Sequence, residues 1–370
     1  MSRPRRSASP ESVFARSVLA QNLKLRPGER VIIDAWTHAL PWATALAREA
    51  RGLGAFPIVL YNDESGFWDS VDAGESKILG ALPKHEKAAL KRTDVYLYLW
   101  GPGDRVRLGR LAPPAAEEIF AFNEDWYKVA RKSGVRGARL EVSRPFPTLA
   151  KAYGVSEDEW RQQIVEASLV PSSELKRSGQ RIAKRLERGR ELRLTHPNGT
   201  DLTLGLAGRV PRVNWGVVDA EAKKRPYGML VNIPSGSVVV ALDEKKADGT
   251  LVANRASYFD SGKATGAEFT FRSGKLLRAE FDTGSELFRA PYEKSGKGRD
   301  RPGILSIGLN PKLANTPQVE DLERGAVLVS VGGNAYLGGA NSSNFFGWSV
   351  LGKGRLELDG EVIADDGELP

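Results

Sequence analysis

Between Arg30 and Tyr61 the chain writes a strand, a helix and a second strand in direct succession. Arg30–Trp36 (RVIIDAW) is apolar enough to be buried on both faces. Leu40–Leu53 follows with Leu40, Ala43, Leu46, Ala47, Ala50 and Leu53 on one helical stripe, and Gly54 stops it. Phe56–Tyr61 (FPIVLY) is the next strand. A helix between two such strands forces parallel pairing with a right-handed crossover, so this part of the chain belongs to an α/β sheet.

The alternation extends in both directions. Phe14–Leu25 has helical spacing through Phe14, Val18, Leu19 and Leu23, and the Pro27-Gly28 turn ends it. Glu86–Lys91 is a short helical piece, Asp94–Trp100 a strand, Ala115–Lys132 a helix and Gly137–Val142 a strand. Val155–Ala167 is a helix opened by Ser156 with Glu159 at capping-box spacing. Ser173–Leu186 is a long basic helix leading onward. Residues 12–188 therefore predict an N-terminal α/β domain with a mostly parallel sheet. Residues 1–11, basic and rich in Pro and Ser with no apolar segment, predict a disordered tail.

Residues 189–370 change character and predict a β-rich C-terminal domain. Glu191–Ala207 alternates around Pro197-Asn198-Gly199, a hairpin signal. Ile304–Gly367 reads as short strands broken by Gly and Asn turns.

Composition narrows the function classes. No apolar run reaches the roughly 18 residues of a membrane span. With no cysteine there is no disulfide, thiolate metal site or thiol nucleophile, and a cytoplasmic setting is expected. The net charge of +8 lies partly in the tail and partly in Lys176–Arg193. No motif of a nucleic-acid module accompanies it, so a solvated helix face is expected rather than a nucleic-acid partner.

Sites of common chemistry are missing. Gly101-Pro102-Gly103 lacks the third glycine and following helix of a dinucleotide loop. Ser235-Gly236-Ser237 is no nucleophile elbow. Asp243 and Glu244 are adjacent and would point to opposite faces of a strand. His38, His85 and His196 read as loop or turn residues, and no histidine follows His196.

Several tracts, in order, resemble the M29 family of metallo-aminopeptidases, aminopeptidase T and thermophilic leucyl aminopeptidase among them. LKLRPGERVIIDAW is similar to the family's first strand, and ALAREARGLGAFPIVLY to its next helix and strand. Thr200–Thr203 with Gly208-Arg209 resembles its "T-D-L-T-F" tract. Asn232-Ile233-Pro234-Ser235-Gly236-Ser237 resembles "N-L-P-x-G-E", with Ser237 at the glutamate. Counting back from Asn310-Pro311 in a tract like "E-L-G-I-G-x-N-P" puts Ile304 at a second glutamate. Val319-Glu320-Asp321 resembles "L-E-D-E-K". Leu328 stands at the histidine of "T-x-H-I-A-x-G", while Phe346 and Trp348 stand at the histidine and aspartate of "S-x-x-H-x-D". Leu358-Asp359-Gly360 and Asp366-Gly367 resemble the closing "L-D-G…D-G".

The resemblance implies an M29-like fold and a homodimer. In the family, two glutamates, two histidines and an aspartate hold two metal ions. Here those positions read Ser237, Ile304, Leu328, Phe346 and Trp348. Three of these side chains offer no lone pair, and a two-metal site needs several donors with bridging carboxylates. Tyr336, near the place of a family tyrosine, is the one catalytic candidate. The expectation is a metal-free, catalytically degenerate aminopeptidase homologue without a cofactor. It would bind a peptide or amino-acid-like ligand through Ser237, Ile304, Leu328, Tyr336, Phe346 and Trp348. Such a chain suits an accessory role in a peptide-modifying pathway. The alternative is an active hydrolase, with relocated metal ligands or with metal-independent chemistry on Tyr336, Ser237 and a histidine.

Overall fold

The computed structural model describes residues 9–225 and 227–370. The chain divides into two compact units. The first takes the residues up to Lys151 together with Ser156–Leu169 and Gly216–Pro234; the second takes Ala152–Val155, Val170–Trp215 and Ser235–Pro370. The expected ranges 12–188 and 189–370 differ from this division in three places, the first being Ala152–Val155, which goes to the second unit. Ser172–Leu186 goes to the second unit, and the strand Leu230–Ile233 returns to the first.

The first unit is built on a five-stranded parallel sheet. We label β1 Arg30–Trp36, β2 Phe56–Asn62, β3 Val95–Leu99 and β4 Arg136–Leu140. The order is β2-β1-β3-β4 followed by Leu230–Ile233, and every pair is parallel. The helix between β1 and β2 runs Leu40–Gly52 and buries Trp42, Ala43, Leu46, Ala47 and Ala50. Gly54 follows at φ +78°, a left-handed conformation that costs glycine little.

The stretch expected as one helix over Ala115–Lys132 is two, Pro113–Ile119 and Phe122–Lys132. The Ser156 cap forms as expected, its hydroxyl accepting from the Glu159 amide at 3.3 Å. At the N-terminus residues 1–8 of the expected tail lie outside the described residues. Helix Pro10–Ser17 begins inside the expected tail, with Ser9 as its N-cap.

The second unit holds two large antiparallel sheets and a two-stranded ribbon of Ser257–Phe259 with Gly262–Ala264. In the seven-stranded one, the hairpin Glu191–His196 and Thr200–Gly205 lies beside Arg355–Leu358. The five-stranded one runs Phe346–Leu351, Val327–Gly332, Pro302–Gly308, Ser237–Ala241 and Arg212–Asn214. Leu192, Leu204, Leu251 and Phe269 of the first share one buried core with Val238, Val240, Leu305 and Val329 of the second. The basic helix Ser172–Leu186 seats Leu175, Ile182 and Leu186 in that core and leaves Arg177, Arg181 and Lys184 exposed. No helix among the described residues is long and apolar enough to cross a membrane.

Candidate functional site

Side chains along a strand alternate between the two faces of a sheet. In the five-stranded sheet, Val238, Val240, Leu305, Val327, Val329 and Leu351 fill the core between the sheets. Ser237, Val239 and Ala241 therefore take the other face, with Ile304, Ser306, Leu328, Ser330, Phe346, Trp348 and Val350. The register agrees: Ile304 pairs with Ala241, Ser306 with Leu328, Leu328 with Val350, and Ser330 with Trp348. All five positions singled out by the sequence motifs thus share one face.

On that face Ile304 and Leu328 belong to one cluster with Val239, Ala241, Ala326, Leu337 and Val350, and Trp348 packs against it. Ile304 is 7% and Leu328 6% exposed. Phe346 is exposed and lies 5.8 Å from the Trp348 ring, which in turn lies 4.7 Å from Phe259. These three rings form a continuous aromatic strip.

Ser237 is buried, and its hydroxyl accepts from Asn214 Nδ2 at 3.2 Å. The glycine before it has φ +130°, and a Cβ there would press on Leu175 and Asn310 at 3.1–3.3 Å. Asn310 Nδ2 donates to the Ser235 carbonyl at 2.9 Å, tying the two motif tracts together. Tyr336 sits on the short turn Ala335–Leu337, half-exposed, its carbonyl accepting from Arg212 Nη1 at 2.9 Å. Packing around the ring pushes its phenol up to about 12, although Arg212 pulls the other way.

A carboxylate pair beneath the aromatic strip is the feature that the sequence did not single out. Glu320 is 3% exposed and accepts from Trp348 Nε1 at 3.3 Å. Asp321 is half-buried and accepts from the Ser306 hydroxyl at 3.3 Å. Burial, with the charge of Asp321 second, raises Glu320 to about 8, and burial raises Asp321 to about 6. The signal available was the Glu-Asp pair inside a site motif, but two adjacent acids ordinarily read as surface.

The histidines do not complete a nucleophile. His38 contacts the Trp100 carbonyl at 2.9 Å, His85 is exposed on helix Lys84–Leu90, and His196 Nδ1 accepts from the Asn198 amide at 3.1 Å. Neither Ser237 nor Tyr336 shares a hydrogen bond with a histidine among the described residues.

The metal pair that the resemblance implies does not fit these residues. Ile304, Leu328 and Phe346 have no donor atom, the Trp348 N–H can only donate, and the Ser237 hydroxyl is engaged. Among the described residues no three His, Cys, Asp or Glu side chains are grouped so as to hold a metal ion.

Comparison with known proteins places the fold. The model of the family described as thermophilic metalloprotease (M29) matches residues 11–296, a span that includes Ser237 and ends before Ile304. Among solved structures the chain is similar to wild-type AmpT from Thermus thermophilus, at TM-score 0.75 and 20% identity over 97% of this chain and 98% of that one. It is also similar to 2,5-dihydroxypyridine dioxygenase from Pseudomonas putida KT2440, at TM-score 0.62 and 16% identity over 99% and 98%. Such identities establish a shared fold and nothing of the reaction. No match is found among curated proteins. The parallel-sheet unit, the antiparallel β-rich unit and the family match agree: the chain belongs to the M29 family of thermophilic metalloproteases.

Proposed function

We propose that this protein is a metal-free, catalytically degenerate M29 relative that binds a peptide or amino-acid-like ligand on the outer face of its five-stranded sheet. The observation that carries the reading is the cluster holding Ile304 and Leu328, with Trp348 packed on it, at positions where the family resemblance calls for metal ligands. A dication there would meet hydrocarbon in place of lone pairs, and desolvating it would go uncompensated. The strip Phe259–Trp348–Phe346 supplies apolar surface for a peptide side chain, with Phe346 open to solvent. Tyr336 is a half-exposed phenol on a neighbouring turn, suited to hydrogen-bonding a ligand's polar end. A homodimer and a role as a peptide-binding accessory to modifying enzymes belong to the same proposal.

Calorimetry with a panel of short peptides and free amino acids tests it. Binding is expected to be unchanged by chelator and weakened about tenfold in Phe346→Ala, the loss expected from one aromatic contact. Binding that requires an added divalent cation, or release of an amine from an aminoacyl substrate, would overturn it.

A further inference from the structure

A cavity lies within the first unit, on one face of the parallel sheet. Register rows across that face change chemistry abruptly. Ile32, Tyr96, Gly137 and Leu230 form one row, and Ile32, Tyr96 and Leu230 are buried with Trp126. The next row toward the strands' C-terminal ends is Asp34, Tyr98, Arg139 and Asn232. Parallel strands covered on both faces are ordinarily apolar throughout, so a polar row calls for a cause.

Asp34, Tyr98 and Arg139 of that row line a cavity of about 1140 Å³, together with Tyr96 and Leu230 of the apolar row, Trp100 just past β3, and Tyr127 and Arg131 from helix Phe122–Lys132. That is the scale of a small-molecule site. Its place in the topology is telling. β1 has β2 on one side and β3 on the other, so the chain leaves it in opposite directions, and ligands of open α/β sheets sit outside the strand ends at such a switch point.

The lining states what would fit. Arg139 is half-buried and forms no ion pair among the described residues; its guanidinium bonds to the Tyr127 hydroxyl and, at 3.5 Å, to Asn232 Oδ1, both neutral. A sequestered guanidinium with neutral partners favours an incoming anion. Arg105, Lys128 and Arg131 add positive charge to the lining, against the acids Asp34 and Glu124. Asp34 is already engaged by the Tyr96 hydroxyl and by Asn62 Nδ2 at 2.6 Å. Tyr98 and Trp100 present rings 5.3 Å apart, and exposed Tyr227, 4.8 Å from Tyr127, also lines the cavity. Aromatic walls select a planar ligand.

We propose that this cavity binds a small organic anion carrying a planar ring, with its carboxylate or phosphate on Arg139 and its ring among Tyr98, Trp100 and Tyr127. The test is titration calorimetry on the full chain with 4-hydroxybenzoate and adenosine 5′-monophosphate, each beside its neutral counterpart, 4-hydroxybenzyl alcohol or adenosine. At least one anion is expected to bind about tenfold or more tighter than its counterpart, the ratio one charge-assisted hydrogen bond gives, and which anion does so separates a carboxylate from a phosphate source. Arg139→Met and the exposed Arg131→Ala, the latter with an unchanged melting curve, are expected to weaken that binding. Absence of binding by both anions, equal binding of anion and neutral ring, or unchanged affinity in both variants would overturn the proposal.

Discussion

Trp348 and Glu320 hold each other in place: the indole Nε1 donates at 3.3 Å to Oε1 of a carboxyl group that is 3% exposed. One residue stands where the family resemblance puts a metal-binding aspartate, and the other lies inside a neighbouring motif. A donor at position 348 therefore satisfies an acid that would otherwise be buried with fewer partners.

Trp348→Phe is expected to keep the ring packing against Phe259 and Phe346 while removing the N–H. The loss should be about 1–3 kcal/mol in urea unfolding, the cost of leaving a buried polar group short of a partner. A loss no larger than a few tenths would show that Glu320 has other compensation.

The two carboxyl groups make stability pH-dependent in a defined sense. Glu320 is raised from 4.5 to about 8 and Asp321 from 3.8 to about 6, so the folded state holds their protons more tightly than the unfolded chain. Their contribution is fully present below the ordinary carboxylate values and is lost as pH rises toward 8. Glu244 acts oppositely: burial raises it, but the Arg209 bonds at 2.6–2.9 Å outweigh burial and hold it near 2, so its contribution is lost as pH falls below 4.5. Melting temperature is expected to decline between about pH 4.5 and pH 8, and Glu320→Gln to flatten that limb. An unchanged slope in Glu320→Gln would assign the decline elsewhere.

Restoring one family-type ligand alone should be costly. Ile304→Glu places a carboxyl among Val239, Ala241, Leu328 and Val350. The expected loss is about 3 kcal/mol or more at pH 8 and clearly less at pH 5, where the group can be protonated. Equal losses at both pH values would mean that the new carboxyl reaches water.

Much of the first unit was legible because its strands are continuous apolar runs. Arg30–Trp36 is observed with the bounds its sequence suggested, and the hairpin about Asn198-Gly199 forms as its turn chemistry requires. Leu230–Ile233 was not legible: four residues carry no period, and their partner β4 lies far back in the chain. The break near Phe120 in the expected Ala115–Lys132 helix has no proline or glycine to announce it. Within the site, alternation along Phe346–Leu351 was enough to put Phe346 and Trp348 on one side. The burial of Glu320 was not readable, because it depends on Trp348 reaching it from a strand beyond an intervening one.

Metal content of the purified full-length protein is the most direct test of a degenerate site. Mass-spectrometric metal analysis after gel filtration, with zinc, cobalt or manganese supplied during expression, is predicted to return substoichiometric amounts of each. A stoichiometric divalent ion that is retained through the column, and lost in Glu320→Gln or Asp321→Asn, would contradict it.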